Sequence, residues 1–202
     1  MLRAFLTALS GTAVEFFETV AIAYAIVRAG YPREAISATA LGQALMFVAA
    51  IFLWPVHQVI PVFWFRLLAA TLLTWMGAYW TLKSLKRRLS GLRPRWVDDP
   101  LGRLHVQPES AQTAFSLLVF LVMLKSSAVE AFEILLVVFP LGAAIGHWWA
   151  IVTGTALAIV SVLTAALLLH GQFKRVPEVT LKLATGVVLL AIGVSWLLEL
   201  LL

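Results

Sequence analysis

The stretch SGTAVEFFETVAIAYAIV, residues 10–27, decides how this chain is read. Two carboxylates, Glu15 and Glu18, interrupt an apolar run of membrane-crossing length. The chain then writes AVEAFE at 128–133 where it wrote AVEFFE at 13–18. A bilayer core takes roughly 20 apolar residues per helix. On that measure six spans are predicted, at 4–27, 35–54, 61–82, 113–139, 148–169 and 179–200. The fold class implied is an all-α integral membrane protein. With 62% hydrophobic and only 12% charged residues among 202, the chain has more apolar surface than a soluble domain of this size could hide. The opening MLRAFLTALSGTA resembles a signal peptide. Two acids follow it without a small-x-small cleavage site, so the segment is expected to stay as a helix.

Charge sets the expected orientation. Residues 83–112 form a basic linker that carries Lys83, Lys86, Arg87, Arg88, Arg93, Arg95 and Arg103. Arg28 and Arg33 separate spans one and two, and Lys174 and Arg175 separate spans five and six. The opposite loops, WPVHQ (54–58) and GHW (146–148), hold no Lys or Arg. The positive-inside rule then puts both termini outside and the basic linker in the cytoplasm of a bacterial inner membrane. Pro94, Pro100, Gly102 and Pro108 argue against a folded domain in that linker. The same distribution explains the net charge of +5 without a nucleic-acid partner, and the absence of cysteine excludes disulfides and thiolate metal sites.

The matches continue beyond the acid pairs. AVEFFE and AVEAFE lie 115 residues apart, and Thr39-Ala40-Leu41 and Thr155-Ala156-Leu157 lie 116 apart. In the third span of each half, Pro61, Arg66, Gly77 and Trp80 match Pro177, Lys182, Gly193 and Trp196, also at 116. Charges, proline and tryptophan recurring in order at near-constant offset point to a duplication: 1–82 is one three-helix repeat and 113–202 the other. Three spans per half is an odd number, so the halves are expected to be inverted. That layout puts a transport site near the midplane where they meet.

Residues three apart share a helix face, so Glu15 and Glu18 point one way, as do Glu130 and Glu133. Thr12 precedes the first pair, and Ser126 and Ser127 the second, as candidate accessory oxygen donors. One charge at the bilayer centre costs about 2.5–3.5 kcal/mol, so four facing lipid would cost on the order of 10 kcal/mol. The acids are therefore expected inside the bundle, carrying protons or neutralised by cations. Burial and mutual repulsion favour the protonated forms, and a divalent cation reverses that balance by expelling protons. All-oxygen ligation suits calcium, manganese or magnesium, with iron also compatible. Lys125, five residues before Glu130, is a candidate counter-charge or competitor. Arg66 and Lys182, near helix starts, are expected to snorkel. Glu34 is read as a loop residue, Glu199 as interfacial, and His57 and His147 as residues of the outer loops.

The paired E-x-x-E motifs resemble those of small bacterial six-helix membrane proteins with VEFVEA-like and EGVEV-like segments. More distantly, the chain is similar to the calcium/manganese–proton antiporters of the LysE superfamily, which carry E-φ-G-D-[KR]-[ST] twice. The resemblance implies that Glu15 and Glu130 match that motif's first acid, and Glu18 and Glu133 its second. Phe17 and Phe132 stand in place of its glycine, glutamate in place of its aspartate, and Thr19 and Ile134 in place of its basic residue. Oxidase-dependent iron permeases, with R-E-G-x-E in two helices, are a second resemblance, although Val14 and Val129 replace their arginine.

The expected function is divalent-cation/proton antiport through a four-glutamate site, with lipid, the ion and protons as partners. A thin six-helix wall around a polar site is compatible with a homodimer. Three alternatives stay open: an iron-permease-like carrier, a membrane enzyme using a carboxylate-bound metal, and a scaffold in which the acids form structural ion pairs. No H-E-x-x-H or G-x-S-x-G motif supports an enzyme.

Overall fold

The computed structural model describes residues 1–91, 115–168 and 178–202. The fold is all helical, with six helices long and apolar enough to cross a membrane and no strand among the described residues. They are α1 (Leu2–Arg28), α2 (Pro32–Val59), α3 (Val62–Ser90), α4 (Leu117–Ile145), α5 (Trp148–Leu168) and α6 (Glu178–Leu201). Large apolar side chains such as Phe47, Phe52, Trp75 and Leu167 face outward, a surface suited to a lipid bilayer rather than to water.

Local chemistry sets the ends. Pro32 opens α2 in its first turn, where its missing N–H costs no helix hydrogen bond, and Pro61 precedes the first residue of α3. α3 continues to Ser90, past the span end expected at 82. The Lys83–Arg88 run keeps helix-forming residues in register until Gly91 closes it at φ 64°. α4 starts at Ser116, whose hydroxyl accepts from Val119 N, and runs through Pro140 to Gly146 at φ 73°. Arg93, Arg95 and Arg103 of the expected linker lie outside the described residues, as do Lys174, Arg175 and Pro177.

Glu34 departs from expectation. It is buried in the first turn of α2 and accepts from Ser116 N at 2.7 Å, joining the start of α2 to the start of α4. His57 belongs to the last turns of α2 rather than to a loop, whereas His147 is exposed between α4 and α5.

The closest helix pairs are α3 with α6, α1 with α5, and α2 with α4, and α1 also crosses α4. Glycines set the α3–α6 contact. A Cβ on Gly77 would overlap the Leu190 backbone, one on Gly193 would overlap Thr74 N, and one on Gly186 would meet Thr81 N at 2.9 Å. As α3 runs from 74 to 81, its partner runs back from 193 to 186, so the two are antiparallel. α1 and α4 are antiparallel too: Gly11 faces Val137 while Glu15 and Glu18 reach Glu130. α2 runs parallel to α4, with Glu34 at Ser116 and Thr39 at Ser127. Apolar clusters fill both ends of the bundle. Ile22, Ile26, Ala35, Val119 and Met123 meet at one end, and Phe65, Ala69, Phe139 and Ala143 at the other.

Candidate ion site

The α1–α4 crossing holds the acids. Gly11 lets α4 approach closely, since a Cβ there would already touch Val137 at 3.4 Å. One turn on, Glu15 is fully buried and Glu18 is 9% exposed. Glu130 projects from α4 to meet them, and one carboxylate oxygen from each of Glu15, Glu18 and Glu130 lies within 4.8 Å of the others. Glu133 stands outside this triad, though its Oε2 is buried. Three of the four expected acids thus converge.

The cation that meets them is Lys182, from the start of α6. Its Nζ donates to Glu18 Oε1 at 2.9 Å and stands 3.1 Å from Glu15 Oε1, an ion pair rather than an aligned hydrogen bond. The Trp80 ring lies beneath the ammonium, 5.0 Å from Nζ to centroid. Lys182 is 6% exposed, so it turns into the bundle instead of snorkelling. Lys125 does the opposite. It is exposed and makes no ion pair with a described carboxylate, because its position on α4 lies on the outer face. Among the described residues, one ammonium therefore serves the whole cluster. Glu15 Oε2, Glu130 Oε2 and Glu133 Oε2 are buried without a hydrogen-bond partner, and buried acceptors in native proteins are normally satisfied.

The accessory hydroxyls join helices. The Thr12 hydroxyl donates to Thr155 Oγ1 at 3.5 Å, tying α1 to α5. The Ser127 hydroxyl donates to Thr39 O at 3.1 Å, tying α4 to α2, and Gln43 donates to Ser127 Oγ. Ser126 is partly buried beside Ser127. Interhelical hydrogen bonds, to a side-chain hydroxyl for Thr12 and to a backbone carbonyl for Ser127, thus occupy two hydroxyls that were expected as oxygen donors to an ion.

Arg66, the counterpart of Lys182, is exposed at the opposite end of the bundle. Its Nε donates to Ala144 O at 3.5 Å. It lines a cavity of about 300 Å³ with Ala144, Ile145, Trp196 and Glu199. Glu199, expected to be interfacial, is exposed and shares that cavity. In comparison with known proteins, no family model, no curated protein and no solved structure matches the chain.

Proposed function

We propose that this protein is a secondary transporter that exchanges a divalent cation for protons across a bacterial inner membrane. Glu15, Glu18 and Glu130 act as ligands and proton carriers, and Glu133 serves as a reserve acid. The observation that carries the reading is the converging triad, whose orphaned buried oxygens one ammonium cannot satisfy. A structural ion pair needs one acid per base, and here several acids are held at a membrane cost that only a function repays.

The oxygen spread supports a hard cation as cargo. At Ca–O distances of about 2.3–2.6 Å, ligands on opposite sides of the ion stand about 4.6–5.2 Å apart, so a triad spanning up to 4.8 Å suits a calcium-sized ion. At about 2.0–2.1 Å for magnesium the corresponding limit is about 4.2 Å, so the triad would have to contract. Manganese falls between, and iron uptake of the permease kind is the neighbouring possibility within transport.

The reading also rests on two inverted halves that exchange roles, with both termini outside. Contacts support this reciprocally. Thr12 with Thr155 corresponds, under the repeat offsets, to Ser127 with Thr39. Gly77 against Leu190 corresponds to Gly193 against Thr74. The opposed directions of α1 and α4, and of α3 and α6, fit the same relation. The proposal carries no enzymatic step. A homodimer would thicken the thin wall around the site.

The Lys182 pair favours a second reading, a structural clamp on α1 and α6. Reconstitution into liposomes with an internal pH dye separates the two. Under the transport reading, calcium or manganese enters as protons leave, and Glu15→Gln or Glu130→Gln abolishes the exchange. Absence of flux for calcium, manganese, magnesium and iron alike would leave the clamp.

A further inference from the structure

Several helix contacts correspond between the two halves, while one matched pair of basic residues is placed differently. Lys182 and Arg66 occupy equivalent positions, as do Trp80 and Trp196, Glu15 and Glu130, and Glu18 and Glu133. Lys182 lies over Trp80 and holds Glu15 and Glu18. Arg66 shares a cavity with Trp196 but bonds a backbone carbonyl, while Glu130 Oε2 and Glu133 Oε2 stay buried without a donor. The α1 acids therefore have their cation, whereas the α4 acids lack the one that symmetry assigns them.

We propose that Lys182 and Arg66 are tethered cations that take turns in the glutamate cluster. Lys182 closes the basic end in the state seen here, Arg66 closes the other end in the opposite-facing state, and the transported ion displaces whichever is seated. The inference rests on the transport reading and adds its coupling device. A seated ammonium lets the empty carrier cross with one carboxylate charge already balanced, and the cavity beside Arg66 lies at the end of the bundle that Lys182 does not close.

Two measurements on purified protein in detergent test this. In weakly buffered solution, titration with calcium or manganese reads protons released per ion bound. Lys182→Gln replaces the ammonium's balancing charge with a proton, so release rises by about one proton per ion, whereas Lys182→Arg releases as the parent does. Because the chain has no cysteine, Ile145→Cys reports on the Arg66 cavity through its rate of reaction with a neutral maleimide. Lys182→Gln in that background slows labelling several-fold as Arg66 moves in, and adding Arg66→Gln restores the rate. Unchanged proton release with Lys182→Gln, or slowed labelling that Arg66→Gln does not restore, overturns the proposal while leaving transport intact. If the parent binds no divalent ion, the transport reading fails by itself. The labelling pair then still decides whether the cations alternate.

Discussion

Replacing Glu15 by glutamine separates a functional acid from a structural one. At an effective dielectric of about 20, an ion pair at 3.1 Å contributes about 5 kcal/mol of attraction. Glu18 and Glu130 each present an oxygen within 4.8 Å of Glu15, and with both ionised each adds about 3.5 kcal/mol or more of repulsion. Attraction to Lys182 is then offset by repulsion from the two acids. If one of those acids carries a proton, the balance tips the other way by a similar small amount. Glutamine keeps the volume, and its amide gains a carboxylate acceptor in Glu130. Glu15→Gln is therefore expected to change unfolding free energy by no more than about 2 kcal/mol, against the roughly 3–5 kcal/mol lost when a buried pair that exists for stability is broken. Divalent binding should weaken by at least about a hundredfold, because losing even an outer partner of a metal ligand costs about 10–100-fold. Thermal unfolding in detergent with and without calcium or manganese reads both quantities, since a ligand selective for the folded state raises the midpoint. Strong destabilisation of Glu15→Gln, together with no ion-dependent midpoint shift in the parent, would refute the argument and make the cluster a structural clamp.

Two further outcomes follow from packing. A Cβ at Gly77 or at Gly193 strikes backbone rather than a movable side-chain tip. Gly77→Ala and Gly193→Ala should each cost toward the upper end of about 1–3 kcal/mol by forcing α3 and α6 apart. The double variant should fall short of their sum because they share one interface, and thermal unfolding of the three variants checks this. At the other end, Glu34→Ala leaves Ser116 N–H without its acceptor and should cost about 1–3 kcal/mol, while Glu34→Gln, which keeps an oxygen in place, should cost clearly less. Amide hydrogen exchange at the start of α4 should rise in the alanine variant and stay near the parent's in the glutamine variant.

How far the sequence could be read depended on whether a residue's role was local. Six spans, the E-x-x-E pairs and the meeting of α1 with α4 were all legible, because an acid in an apolar run must find the bundle interior wherever the chain goes. Glu34 was legible in principle: Pro32 at the first turn followed by an acid is a helix start, not a loop. Lys182 was not. It and Arg66 sit in the same motif at the same distance from a helix start, yet one turns inward to Glu18 and the other outward to Ala144. No local preference could separate two residues in equivalent surroundings. Lys125, deeper in its span, looked the better partner and faces outward instead.

That failure carries information. If the duplicated halves were equivalent in every contact, the cluster would be open to both ends or closed to both, and neither arrangement transports by alternating access. A carrier with matching halves must hold them in different states at any moment, and the difference must fall where a small movement changes access to the site. Under the proposed transport it falls on one long basic side chain per half, beside acids whose oxygens outnumber the described cations that reach them. Gly77 against Leu190 and Gly193 against Thr74 correspond across the halves, as do Thr12 with Thr155 and Ser127 with Thr39, while the charges do not. Under the proposed transport, the helix frame is the part that repeats and the basic side chain is where the repeat breaks.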